Sequence, residues 1–546
     1  MGWNTTGTAG TLLEHYWNMV NREVLIMIEE DKLIKDTFQD FFSWWNGEVK
    51  DCVDNVNVEP INISAPMDNP ALFKTEVSDI SKQPVPIMAD YVFITDLNTL
   101  EVECKKRLGA DAIGIDTETT GYDPSIKGSK TDPFIDKIRI IQIAVKDLPV
   151  MIVDLFAIKE HSPVKELLTG PSLKIFQNAK FDLKMLQITG IQLEGNIFDT
   201  MLASQLLGGG LRAVNGGHSL EELVKRYLQI EMSKEEQSSD WSVELSEKQL
   251  QYACLDAHVL LQLQEILNGL LVKKGLEAIA RLEFDCLQSV IDMELNGFYL
   301  DLEKQEHIKE LLKSDIEQAE FEVRAELGDI NLRSHKQLLP VLQKKTGIRL
   351  KSTSKEYLMA IGHPLFSKLI DYKEKRKFYE DNFLRLPENI HEKTGRIHAN
   401  YFQLGTATGR FSCKEPPLQT IPRNKQIREC FRAEAGNNLI IADYSQIELR
   451  IAAEISKDPV MIEAYSKGQD LHTLTASIIT GKPAEEVTKN DRQLAKAVNF
   501  GLIYGAGAET LRDYAKSNYD IDLTLKDAEH FRRKFFKLYR GLSRWH

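Results

Sequence analysis

Apolar and polar positions change rhythm several times along the chain. Residues 1–60 repeat large apolar side chains at helical spacing and include Trp44-Trp45, which predicts a small helical N-terminal extension. Residues 61–90 are rich in Pro, Ser and Asn, with Pro66, Pro70, Pro84 and Pro86 interrupting regular structure, and read as a linker. From Tyr91 short β-like runs alternate with amphipathic helices. The clearest runs are Ala112-Ile113-Gly114-Ile115, Ile138-Arg139-Ile140-Ile141-Gln142-Ile143-Ala144 and Val150-Met151-Ile152-Val153. That alternation predicts an α/β domain with a mixed sheet over residues 91–275. Residues 280–390 carry a helical period and many charges, and beyond 395 strand and helix signals mix again. Leu439-Ile440-Ile441-Ala442 reads as a buried strand that delivers Asp443 at its end. No internal repeat is visible.

At 546 residues the chain has room for three to five domains of roughly 100–200 residues each. A composition of 42% hydrophobic and 27% charged residues excludes intrinsic disorder as the general state. The apolar runs, such as Val24-Leu25-Ile26-Met27-Ile28, fall far short of the ~20 residues a membrane span needs. The first twenty residues hold no Lys or Arg, so no secretory leader is expected. Six scattered cysteines without a Cys-x-x-Cys pair fit a reducing, cytoplasmic setting better than a zinc site or a disulfide framework. The net charge of −13 hides an asymmetry, because residues 331–546 hold 37 Lys and Arg against 25 Asp and Glu. A basic last third behind an acidic front fits a polyanionic partner such as nucleic acid, although a solvated basic face would look the same.

Candidate chemistry starts with carboxylates. The run Ile113-Gly114-Ile115 ends in Asp116-Thr117-Glu118, and period-two alternation puts Asp116 and Glu118 on one side of an extended chain. Two such acids can reach one divalent cation. Asn178-Ala179-Lys180-Phe181-Asp182 follows a second strand-like run. Tyr252 and Asp256 stand four apart in a helical stretch, on one helix face. Each piece alone is common surface decoration. Together they resemble the DEDDy class of 3′–5′ exonucleases over about residues 90–275. The resemblance implies a ribonuclease H-like mixed sheet in which Asp116, Glu118, Asp182 and Asp256 bind two Mg²⁺ (or Mn²⁺) ions and Tyr252 orients the attacking water. Four converging acids would repel one another without cations.

A second set lies further on. Thr406-Ala407-Thr408-Gly409-Arg410-Phe411-Ser412 precedes the Asp443 segment, Asp443-Tyr444-Ser445-Gln446-Ile447-Glu448. Arg492, Lys496, Phe500 and Tyr504 then recur at four-residue steps, a gently drifting stripe on an α-helix with Thr488 as N-cap and Gly505 as stop. Two cations and two rings suit a nucleoside triphosphate, and an amphipathic helix with basic edges is the plainer alternative.

This set resembles the family A DNA polymerases, the DNA polymerase I type, from about residue 280 onward. The resemblance implies an incomplete α+β polymerase right hand over 276–546, with a thumb over about 300–395 and palm and fingers over about 396–546. It implies that Asp443 is a catalytic aspartate and a metal ligand, assisted by the Tyr444 carbonyl. Glu448 would guard the sugar 2′ position, Arg492, Lys496 and His472 would hold the triphosphate, and Phe500 and Tyr504 would pack on base and sugar. Arg410 and Gln419 would contact primer-template DNA. Pro417 and Thr420 depart from the asparagines that often flank Leu418-Gln419 in this family. No His-Asp-Glu turn follows Tyr504. A second catalytic aspartate is therefore expected from a C-terminal polymerase fragment, either a separate product or a part lost by truncation.

The expected function is the N-terminal portion of a split DNA-directed DNA polymerase with a proofreading exonuclease. It would use deoxynucleoside triphosphates and no membrane, in the cytoplasm of a bacterial or phage-infected cell. Rivals are a stand-alone exonuclease of ribonuclease D type and a non-catalytic primer-template binding subunit.

Overall fold

The computed structural model describes residues 89–121, 131–209, 217–232, 236, 239–441 and 443–546. The expected helical extension over 1–60 and nearly all of the expected linker over 61–90 lie outside them. Two compact units are present, which among the described residues run over 89–439 and 440–546. No described helix is long and apolar enough to cross a membrane.

The first unit starts with a six-stranded mixed sheet: β1 Tyr91–Ile94, β2 Ala112–Thr119, β3 Ile138–Ala144, β4 Val150–Asp154, β5 Leu173–Phe176 and β6 Ile197–Asp199. Their order across the sheet is β1-β4-β3-β2-β5-β6. β3 runs antiparallel to β2 and β4, whereas β5 is parallel to β2 and β6 to β5. β3 and β4 are buried at every position, because both sheet faces are covered. On one face Ile113, Ile115, Ile141 and Ile143 cluster with Leu100 of α1 (Leu97–Arg107), Val164 of α2 (Ser162–Thr169), Leu183 of α3 (Ala179–Thr189) and Leu202 of α4 (Thr200–Leu207). On the other, Ile140, Ala144, Val150 and Ile152 cluster with Leu250, Ala253 and Ala257 of α5 (Glu247–Lys273). A capping box between Ser246 and Gln249 starts α5. Gly114 lets this helix lie close on β2, since a Cβ there would come within 2.7 Å of the Ala257 carbonyl oxygen.

Helices α6 (Glu277–Asp285) and α7 (Leu287–Asn296) lead to a helical layer of α8 (Leu302–Leu327), α9 (His335–Thr346), α10 (Lys355–Ile361) and α11 (Pro364–Tyr379). Leu338, Leu342, Phe366, Leu369 and Tyr372 form its core. Two small antiparallel pairs follow, β7 (Phe298–Tyr299) with β8 (Arg396–Ile397) and β9 (Asn400–Phe402) with β10 (Ser412–Lys414). A buried ionic hub ties α3 to α7 and β9. Lys180 and Lys184 each place an ammonium 2.6 Å from one oxygen of Glu294, which also accepts the Tyr401 N–H at 2.7 Å.

The second unit is helical: α12 (Ile447–Ser456), α13 (Pro459–Ser466), α14 (Leu471–Thr480), α15 (Lys489–Leu502), α16 (Ala508–Tyr519), α17 (Leu525–Leu538) and α18 (Arg540–Trp545). Leu449, Met461, Leu471, Val498, Leu511, Phe535 and Leu542 lie in one core. The buried strand expected over Leu439–Ala442 is not found at its described residues, 439–441; Ala442 lies outside them. Leu439, Ile440 and Ile441 are 52, 60 and 77% exposed and pair with no described strand. The physical reason is lateral: an extended segment without a neighbouring strand has no partners for its N–H and C=O groups, and stays in water.

Asp458 joins the two ends of the helical unit. It is fully buried, accepts the N–H groups of Val460 and Met461 at 3.1 Å, and accepts Gly541 N–H at 2.6 Å. Asp458→Ala is therefore expected to lower stability by about 2–4 kcal/mol, the sum of a lost cap and a stranded buried donor. Denaturant unfolding of the full chain measures it, and a change under ~0.5 kcal/mol would contradict this role.

Candidate active sites

The acids of the first unit meet where β2 passes under α5. Asp116 and Glu118 share the β2 face of Gly114, and Asp256 descends from α5 onto the same face. Carboxylate oxygens of Asp116, Glu118 and Asp256 lie within 4.8 Å of one another. Asp182, on α3, is held differently. Its Oδ1 accepts the Thr117 hydroxyl at 2.6 Å, so a residue between the two β2 acids fixes the fourth.

A turn of unusual shape sets α3 in place. Asn178 takes a left-handed conformation (φ 61°), and the Asp199 carboxylate accepts the N–H groups of Asn178, Ala179, Met201 and Leu202 at 2.8–3.2 Å. Burial nevertheless pushes Asp199 up to about 6. Thr117 and Asp199 were not singled out by the sequence reading. Asp199 carried one signal, an acid at the start of a helical run, which is a common N-cap.

Burial pushes the Asp116 carboxyl up to about 7. Burial, with the added charges of its neighbours Asp116, Asp256 and Asp182, holds Glu118 well above the carboxylate range. Asp182 and Asp256 are raised by the same two causes, burial first and Asp116 second. A hard dication suits an all-oxygen set of this kind. The set also keeps a donor atom in hand, because Asp256 Oδ1 is buried without a hydrogen-bond partner. The Tyr252 hydroxyl donates to Asp256, and burial followed by the Asp256 and Glu118 charges raises its pKa far above the phenol range. Tyr252 thus stays protonated at neutral pH and acts as a donor.

Residues expected at a polymerase site fall in both units. In the first, Arg410 is exposed in the β9–β10 loop, its backbone N–H donated to Thr406 Oγ1 at 3.0 Å. Gln419 donates its amide to the Phe411 carbonyl at 3.3 Å in a short 3₁₀ turn. In the second, Asp443 and Tyr444 are exposed and Glu448 opens the first turn of α12. Thr488 caps α15 in a box with Asp491.

Arg492 and Lys496 sit half-buried on α15, and Phe500 packs against the core and lies 5.5 Å from the His472 ring. The helix ends at Leu502, so Tyr504 is not on its stripe. It stands 66% exposed in a turn closed by Gly505 at φ 76°. The helix stops two residues short of what the periodicity requires, and a left-handed glycine closes the turn that follows.

Asp470 was missed by the sequence reading. It caps α14, accepts the Arg492 guanidinium at 2.6 Å and takes the Gln446 amide at 3.0 Å. Burial opposes its ionisation, but Arg492 and Thr473 more than offset this and hold its carboxyl well below the usual range. His472 is 2% exposed and accepts the Asn499 amide at 2.9 Å. Burial pushes its imidazole down to about 4, against the pull of Asp470 and helped by Arg492 and Lys496. It is a neutral ring inside the unit, so positive charge on this face comes from Arg492 and Lys496.

The raised acids have a consequence for stability. Unfolded carboxylates ionise near about pH 4, whereas folded Asp116 keeps its proton to about 7. Between these values the native state binds more protons, and metal-free stability falls as pH rises. The metal-free chain is expected to melt lower at pH 8 than at pH 5, with millimolar Mg²⁺ or Mn²⁺ restoring the loss. Glu118→Gln should raise the metal-free midpoint at pH 8 by about 2–4 °C and blunt the response to metal. Differential scanning fluorimetry checks this, and a flat pH profile without metal response would count against a mutually repelling cluster.

Comparison with known proteins identifies the family of both parts of the chain. The model of DNA polymerase family A matches residues 302–546, and a 3′–5′ exonuclease model matches residues 91–271. DNA polymerase I of Aquifex aeolicus is 35% identical over 485 residues, covering 84% of this chain and 79% of that protein. DNA polymerase I of Borreliella burgdorferi is 31% identical and DNA polymerase I of Rhizobium leguminosarum 31%; this chain spans 53% and 48% of their lengths. Among solved structures, the POL domain of Pol1 from M. smegmatis, in complex with DNA primer-template and dNTP, superposes with a TM-score of 0.69 at 26% identity, covering 83% of this chain and 77% of that one. The chain belongs to the family A DNA polymerases and carries their 3′–5′ exonuclease domain.

Proposed function

We propose that the chain removes nucleotides from the 3′ end of DNA at the Asp116 cluster, using Mg²⁺ or Mn²⁺. The observation that supports this most directly is the approach of Asp116, Glu118 and Asp256 within 4.8 Å, with one buried oxygen of Asp256 unpartnered. Asp116, Glu118, Asp182 and Asp256 would hold the cations, which supply charge stabilisation at the phosphate and an activated water. Tyr252, kept protonated with its O–H given to Asp256, would orient that water by accepting a hydrogen bond at its phenol oxygen rather than by abstracting a proton. Thr117 and Asp199 hold Asp182 in place through its helix.

Template-directed synthesis is the second proposed activity. Arg492, oriented by Asp470, and Lys496 would bind the triphosphate of a deoxynucleotide. Phe500 and Tyr504 would contact base and sugar, Glu448 would exclude a 2′ hydroxyl, and Arg410 and Gln419 would touch primer-template DNA. Asp443 with Tyr444 would supply one side of the metal site. Asp443 belongs to no group of three or more metal-ligating side chains among the described residues. We assign the second carboxylate to a C-terminal polymerase fragment, because no His-Asp-Glu turn follows Tyr504 in this sequence. The exposed run Leu439-Ile440-Ile441 supports this, since it offers an unpaired apolar edge beside Asp443.

Two expectations follow. The full chain should digest single-stranded DNA from the 3′ end with Mg²⁺, and Asp116→Ala with Glu118→Ala should lower the rate by roughly 10³-fold or more. Near-normal digestion by the double variant would place the reaction elsewhere. In that exonuclease-dead background the chain alone should not extend a primer, but should do so when a separately made C-terminal fragment is added. Extension by the chain alone would remove the need for a fragment, and none in either case would favour a DNA-binding role without synthesis.

A further inference from the structure

We propose that Gln142 is a positioning residue of the Asp116 cluster, its buried amide orienting water around the cation that Asp116 helps to hold. The inference rests on the exonuclease reading above and extends it to a residue outside the acid set. Gln142 lies in the middle of β3, directly across from Asp116 in the antiparallel pairing with β2. Direct partners in such a pair present their side chains on the same face, with Cα atoms about 4.5–5.5 Å apart. That face is the one covered by α5, which brings Tyr252 and Asp256. Ile140 and Ala144, which flank Gln142 on this face of β3, pack in the apolar cluster with Ala253 and Ala257.

A glutamine is out of place there on packing grounds. Gln142 is fully buried, and neither its amide nitrogen nor its amide oxygen has a hydrogen-bond partner. Unpaired buried groups of this kind are costly, and an aliphatic side chain would fit the run of isoleucines around it. Departures from local preference of this sort concentrate at functional sites. The polar chemistry on this face is the Asp116, Glu118 and Asp256 set across the strand. A hydrated dication held there supplies what the amide lacks: water oxygens to accept its N–H and water protons for its carbonyl. Groups that act on a metal through its hydration or its ligands typically change affinity 10–100-fold when removed.

The test uses the full chain and two variants. Gln142→Met keeps length and removes both polar groups, whereas Gln142→Glu keeps shape and an acceptor oxygen. Mn²⁺ binding is followed by electron paramagnetic resonance, with Asp116→Ala as the control for binding at this cluster, and metal-free melting is measured alongside. Gln142→Met is expected to bind Mn²⁺ about 10–100-fold more weakly while its metal-free melting temperature is unchanged or raised. Gln142→Glu is expected to bind at least as tightly as the wild type. Saturating Mn²⁺ should recover exonuclease turnover in Gln142→Met, a defect in metal KM rather than in kcat. Unchanged Mn²⁺ affinity in Gln142→Met overturns the proposal, as does a fall in metal-free melting temperature that accounts for the weaker binding, or a Gln142→Glu variant as weak as Gln142→Met. A wild-type chain that binds no Mn²⁺ above the Asp116→Ala control overturns the metal site itself, a different failure.

Discussion

Mutual repulsion among crowded carboxylates, with Asp116 and Glu118 half-buried and Asp182 and Asp256 buried, is the constraint around which the first unit is built. Asp116, Glu118 and Asp256 cannot all ionise in one apolar seam without countercharge, and Asp182 sits within reach of the same field. The fold nevertheless forces them together with stiff parts: an all-buried strand pair, a 27-residue helix started by a capping box, and a glycine that lets helix and strand touch. Stability is spent locally to hold the acids together, which is the usual relation between a strained site and the scaffold around it.

Supports behind the acids follow the same logic. Thr117 and Asp199 do no chemistry of their own, yet one fixes the Asp182 carboxylate and the other fixes the turn that starts its helix. On the far side of that helix, Lys180 and Lys184 are held by Glu294, which also grips the strand leading to the Arg410 loop. Two ammonium groups share that one carboxylate, so the hub keeps a net positive charge in a partly buried place. Position, not residue type, decides what a cation does. In the helical unit Arg492 is anchored by Asp470 and stays partly exposed.

The alternation of short apolar runs with helical stretches determined the mixed sheet, and the spacing of Asp116, Glu118, Tyr252 and Asp256 determined which acids share a face, because side-chain direction in strands and helices follows from local geometry alone. The Arg492, Lys496 and Phe500 stripe was legible for the same reason. Tertiary structure decided what local period cannot express. It showed that Asp182 is held by Thr117 beside the close group of Asp116, Glu118 and Asp256, that Asp470 anchors Arg492, and that His472 is buried with its imidazole pushed down to about 4. It also overturned the buried strand at Leu439-Ile440-Ile441, whose composition promised an interior place. A strand is completed by its neighbours across the sheet, and those contacts are invisible to any reading along one segment of the chain.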